Sequence, residues 1–142
     1  MRLEQLTEEQ IKQAIEEAWQ ELLQEADAEN YSLEEYLEDC RKYWDDPCFP
    51  NAIPELIMRT VEKIVGRPLS WYCERNPASF TGEYSFVVVD PKTQKCLTYR
   101  EHLDGVNVHR FINVAGTVVD YEDIVRLVTQ LLNQIQSALA DA

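Results

Sequence analysis

The sequence predicts an α+β fold, with three N-terminal helices, then an antiparallel β-sheet of three to four strands, then a long C-terminal helix packed on the sheet. Three observations support it. Up to Gly66 the apolar residues recur every three or four positions, the period of one helical face. Over residues 71–89 the chain turns aromatic and β-branched, as suits a pleated surface. Beyond Asp120 the helical spacing returns. Grouped helices beside grouped strands, rather than strict alternation, argue against a parallel α/β sheet. No internal repeat, low-complexity tract or Gly/Ser linker divides the chain, so residues 1–142 are expected to form one domain, with an acidic helical half over 1–66 and the sheet and last helix over 67–142.

The first helix is expected over 7–27, with an apolar face of Ile11, Ile15, Ala18, Trp19, Leu22, Leu23 and Ala26. Thr7 followed three residues later by Gln10 matches a capping box, in which each side chain satisfies a backbone amide that the helix cannot. The second helix, about 33–45, starts after Ser32 with Glu35 completing another box, and Tyr31 and Tyr36 stand at the two positions of a hydrophobic staple. Pro47 and Pro50 forbid helix. Pro54 is placed to open a third one, whose apolar residues Ile57, Met58, Val61, Ile64 and Val65 stop at Gly66.

Residues 84–90 and 95–101 flank a Pro91 turn and are expected to pair as a hairpin. The first of these strands is apolar on both faces, which suits a central position. A third strand, about 106–114, alternates Val106, Val108, Ile112 and Val114 with polar residues, except that Arg110 falls on the apolar side; a bulge near Arg110 would reconcile the pattern. Asp120 then caps a helix over 121–139 with Ile124, Val128, Leu131, Leu132, Ile135 and Leu139 on its face.

The 142 residues include 26 acidic and 13 basic side chains, a net charge of -13, and the pI is about 4.5. A chain this acidic is not expected to bind nucleic acid by neutralising phosphates. Its longest apolar runs fall far short of the ~18 residues of a membrane span, and its opening residues lack the apolar core of a secretory signal, so a cytoplasmic location is expected. The acidity is local: residues 1–50 hold 15 acidic and 4 basic side chains, net -11, against 11 and 9 over residues 51–142, net -2.

Some of those acids serve helix dipoles. Glu8, Glu9, Glu34, Glu35, Glu55, Glu122 and Asp123 fall in expected first turns, where each is favoured by ~0.3–1 kcal/mol. Glu17, Glu21 and Glu25 have no such role. They lie four apart in one row, where each like-charged pair costs about 0.2–0.5 kcal/mol, and they are expected to have no lysine or arginine opposite them. The row is either a solubilising face or a docking face for a basic partner protein. The docking reading takes Glu17, Glu21, Glu25, Asp39, Asp45 and Asp46 as its contact residues, in a small inhibitor, immunity, adaptor or chaperone type of protein.

Two other classes compete. Calcium would need several hard oxygen donors, which residues 27–30 or the pair Asp45 and Asp46 could supply; the spacing fits no EF-hand loop, so the calcium alternative is a non-EF-hand site of acidic side chains. Cys40, Cys48, Cys73 and Cys96 are too far apart in sequence for a structural zinc site and read as reduced, packed thiols, so no metal or cofactor is expected. An enzyme is the remaining class, using scattered polar residues on the sheet. The chain has no nucleophile elbow, phosphate-binding glycine loop or His-Glu-x-x-His motif, and no catalytic residue is assigned.

Overall fold

The computed structural model describes residues 6–42, 52–76, 83–104, 107–112, 114–118 and 120–140. Its class is α+β. Helix α1 (Glu8–Glu25) begins with the expected reciprocal cap between Thr7 and Gln10. Its far end is closed by backbone rather than by a glycine: Ala28 N–H donates to Leu23 O at 2.9 Å and Asp27 N–H to Gln24 O at 3.1 Å, with Asp27 at φ 55°. This double bond satisfies carbonyls that the helix leaves open and normally uses glycine at the left-handed position. The turn lays helix α2 (Leu33–Lys42) beside Trp19. The indole donates to Tyr31 O at 2.9 Å, and the Trp19, Tyr31 and Tyr36 rings meet at 5.2–6.1 Å between centroids.

Ser32 and Glu35 form the second capping box, with Glu35 N–H donating to Ser32 Oγ at 3.1 Å and Ser32 N–H to Glu35 Oε1 at 3.3 Å. Helix α3 (Ala52–Val65) starts two residues before the expected Pro54 and ends as expected at Gly66, whose φ of 83° suits glycine. Along α1 the buried residues are Ile11, Ile15, Ala18, Trp19 and Leu23, while Leu22 is half-buried and Ala26 exposed. The chain folds back over the Trp19 side and leaves Leu22 on the flank.

The strands pair differently from the expected hairpin. Strands β1 (Ser70–Asn76), β2 (Glu83–Val89) and β5 (Val114–Thr117) form an antiparallel sheet in the order β1-β2-β5, so β2 is central. Tyr84, Phe86 and Val88 of β2 are buried, while Ser85, Val87 and Val89 are half-buried, which accounts for its apolar residues on both faces.

The Pro91 turn forms, with Gln94 N–H donating to Asp90 O and Asp90 N–H to Lys95 O, both at 2.8 Å. The returning chain nevertheless touches β2 only at its end, through a Val89–Cys96 bridge and Leu97 N–H to Val88 O at 2.7 Å. The physical reason is competition for edges. β1 takes one whole flank of β2 from Glu83 to Val89, and β5 takes the other from Glu83 to Phe86.

Strands β3 (Tyr99–Asp104) and β4 (Asn107–Ile112) instead form their own two-stranded antiparallel sheet. The single strand expected over 106–114 is therefore two, β4 and β5, in different sheets. Pairing is continuous through Arg110, with no bulge there, and Arg110 stands opposite Glu101.

Helix α4 (Tyr121–Ala140) is capped by Asp120, whose Oδ1 accepts from Asp123 N–H at 3.1 Å. It covers the sheet at β5, where Leu127 meets Gly116. All four helices and the three-stranded sheet supply one apolar core, in which Ile15, Leu56, Phe86, Ile124, Leu131 and Ile135 have no exposed surface.

Candidate functional site

The acidic row of α1 is not left without counterions. Helix α3 lies antiparallel beside it and carries Arg59 and Lys63, four residues apart, matching Glu25 and Glu21. Arg59 Nη2 donates to Glu25 Oε1 at 3.1 Å, its Nη1 reaches both Glu25 Oε2 and Glu21 Oε1, and Lys63 pairs with Glu21. The hydrogen bond from Arg59 pulls the Glu25 carboxyl below its ordinary range, and the same bond raises the guanidinium. The expectation of a row with no cation opposite it is corrected by this clasp: the repulsion along α1 is offset by attraction across to α3. Glu17 alone of the three stands outside the clasp, accepting from Gln13 Nε2 at 3.3 Å. Asp39 accepts a hydrogen bond from the Tyr31 hydroxyl. Asp45 and Asp46 lie outside the described residues.

A different set of acids converges. Glu16 of α1 and Glu34 at the start of α2 are close enough that the Glu16 carboxyl is raised above its ordinary range, first by burial and then by the Glu34 charge. Tyr121 at the start of α4 stands in the same place, half-buried, with its hydroxyl donating to Lys12 O at 3.3 Å. Burial and then the charges of Glu16, Glu34, Glu122 and Glu9 push its phenol up to about 12, so it stays a neutral donor. One cation serves this group among the described residues. Lys12 lies 3.6 Å from Glu8 and 3.8 Å from Glu122, and among the described residues no basic side chain stands within ion-pair distance of Glu16, Glu34 or Glu9.

The sequence reading missed this face because it assigned Glu9, Glu34 and Glu122 to their own helix dipoles. That assignment holds for each helix singly. What it leaves out is that the N-terminal turns of α2 and α4 meet along one side of α1, so three locally favourable carboxylates and Glu16 share one field. The available signal was Glu9 and Glu16 seven residues apart, two turns along one line of α1.

Residues 27–30, a calcium candidate by composition, form the turn that closes α1, with Asp27 and Asn30 both at positive φ. Among the described residues no group of three or more His, Cys, Asp or Glu is placed to hold a metal ion, and no helix is long and apolar enough to cross a membrane. Cys73 and Cys96 are not in disulfides; the Cys40 side chain and Cys48 lie outside what is described. Comparisons with known protein families, with curated proteins and with solved structures give no match for this chain.

Proposed function

We propose that this chain is a small cytosolic binding or regulatory protein, without enzymatic activity, that receives a basic partner protein on the acidic face shared by α1, α2 and the start of α4. One observation carries the reading. The charges of Glu16, Glu34, Glu122 and Glu9 all bear on Tyr121, with Lys12 as the single described cation in ion-pair contact with one of them, whereas Glu21 and Glu25 already have theirs. A like-charged, partly desolvated group is a standing cost to the free protein, and a lysine or arginine brought by a partner removes it. The docking surface therefore shifts from the Glu17, Glu21 and Glu25 row toward Glu16 and Glu34. Such a face speeds encounter with a basic protein, and the effect fades as salt shortens the screening length to about 8 Å at physiological ionic strength.

The test compares two double variants. A partner is first captured from lysate at low salt, eluted by salt and purified, and its association rate is then measured. Glu16→Gln with Glu34→Gln is expected to slow association at low salt, with the difference shrinking at high salt. Glu21→Gln with Glu25→Gln is expected to leave the rate near wild type, because those charges are neutralised within the fold. Equal rates for wild type and the Glu16/Glu34 variant at low salt would sink the proposal.

A further inference from the structure

Strand β1 is an edge of the core sheet. Among the described strands its neighbour is β2, while the opposite edge, β5, is where α4 packs at Gly116. Pairing with β2 runs unbroken over seven rungs, from Ser70–Val89 to Asn76–Glu83. Natural edge strands are ordinarily guarded against other chains by a proline, a lysine, a bulge or a covering element. Ser70–Asn76 contains neither proline nor lysine, and no bulge interrupts it. Burial also falls away from β2 to β1 along the same rungs. Phe86 and Val88 have no exposed surface, yet their rung partners Cys73 and Trp71, packed against the same core, are only half-buried. On the other side of the sheet Tyr72 is 59% exposed, opposite half-buried Val87. Apolar surface is thus incompletely covered on both sides of one edge strand.

We propose that β1 is the interface of a two-fold homodimer, in which it pairs antiparallel with β1 of a second copy and joins two three-stranded sheets into one. The chemistry of the edge selects a second copy as the occupant. Two antiparallel copies of one strand about a two-fold axis are self-complementary, since each outward N–H of one meets a carbonyl of the other and the lengths match. The core sheet is antiparallel throughout, so the added pair continues its pattern. Charge points the same way. Residues 67–98, which include β1 and β2, hold four basic and three acidic side chains, net +1, in a chain of net charge -13. Two copies repel through their acidic N-terminal halves and can approach through this nearly neutral region. The contact closes on itself, so assembly stops at two. At about 3.3 Å per residue the strand is only about 23 Å long, and an edge of that length covers less than the ~800 Å² per partner of a standard interface, so a reversible, micromolar dimer is expected. This inference is independent of the acidic face, since no residue of β1 lies on α1, α2 or α4.

The experiment is sedimentation velocity on the full chain from low to high micromolar concentration, with reductant present so that disulfides contribute nothing. A monomer–dimer equilibrium without larger species is expected. High salt is expected to leave the dimer unchanged or tighten it, because salt screens the repulsion between two acidic copies, whereas association through the acidic face would weaken. Tyr72→Lys places a charge on the edge and is expected to weaken dimerisation by about tenfold or more, with its melting curve at monomeric dilution checking the fold. Hydrogen exchange on the wild type gives a second readout: the outward amides of β1, alternate along the strand, are expected to be protected in the dimer and to exchange faster on dilution. The exchange and salt measurements decide even where Tyr72→Lys fails to fold. A wild type that stays monomeric, a dimer that dissociates in high salt, undiminished dimerisation of folded Tyr72→Lys, or β1 amides that exchange alike in monomer and dimer would each overturn the proposal.

Discussion

Helix α4 approaches the sheet most closely at Gly116, and the cost of adding one methyl group there can be worked from the structure. A Cβ built on Gly116 would lie 2.8 Å from Leu127 Cδ2 and 3.2 Å from its Cγ. Leu127 is 2% exposed, so its side chain has no solvent to swing into. The methyl end alone could rotate away, but the short distance to Cγ requires the whole side chain, and the helix with it, to shift. Gly116→Ala also has a favourable part, because alanine restricts the unfolded chain and contributes about 0.4–1 kcal/mol. Overpacking opposes it with about 1–3 kcal/mol. The overlap wins, and a net loss of about 0.5–2 kcal/mol is expected.

Urea unfolding reads this as a lower midpoint at unchanged slope. Thermal unfolding reads it as a fall of a few degrees in Tm, at about 2–4 °C per kcal/mol for a chain near this size. The mechanism is checked in a Leu127→Ala background, where the obstacle is gone and Gly116→Ala is expected to become neutral or stabilising. A single Gly116→Ala protein as stable as wild type, or no change of sign in that background, would refute the stated packing of α4 on β5. The outcome bears on the site, because the same helix carries Tyr121 and Glu122 to the acidic face.

Burial and charge give two further expectations. Leu131 has no exposed surface whereas Leu22 is half-buried, so Leu131→Ala is expected to cost about 2–5 kcal/mol and Leu22→Ala to fall below that range, as compared by urea midpoints. Glu16 and Glu25 predict opposite pH responses. The folded Glu16 carboxyl is raised above its ordinary value near 4.5, so the native state binds its proton more tightly than the unfolded state. Its contribution is present at low pH and lost as pH rises from 4.5 through the raised value. Glu16→Gln is therefore expected to be more stable than wild type at neutral pH, with the difference closing on acidification. The Glu25 carboxyl is lowered by Arg59, so Glu25→Gln is expected to be less stable at neutral pH, with that difference closing as pH falls below 4.5 through the lowered value. The same sign for both substitutions in melts between pH 4 and pH 8 would show that the two glutamates do not differ as described.

Features of the fold encoded within a few residues were legible in the sequence. The Thr7–Gln10 and Ser32–Glu35 boxes, the Gly66 stop, the Pro91 turn and the central place of β2 each follow from side chains that meet their partners locally or from one strand's own pattern. Pairing was not legible, because it is decided between segments far apart: β1 and β5 compete with residues 96–98 for the edges of β2, and no local pattern ranks the competitors. The charges repeat the lesson. Glu21 and Glu25 read as unopposed on α1 because their cations lie on another helix, although the four-residue spacing of Arg59 and Lys63 on α3 was there to be matched with theirs. Glu16 and Glu34 drew less notice than the row, since their nearness exists only once α2 has folded back over Trp19.

The chain leaves the core sheet after Thr98, whose hydroxyl accepts from Val88 N–H at 3.2 Å, and rejoins it at Val114 opposite Phe86. Between those points β3 and β4 pair with each other, so the excursion is a hairpin of its own inserted where β2 and β5 would otherwise be joined by a plain loop. Closing a loop costs only about 0.6 kcal/mol more for each doubling of its length. The length of the excursion therefore weighs little on the stability of the sheet it interrupts. A connection whose length matters so little is where residues can be added or removed without re-pairing the strands on either side.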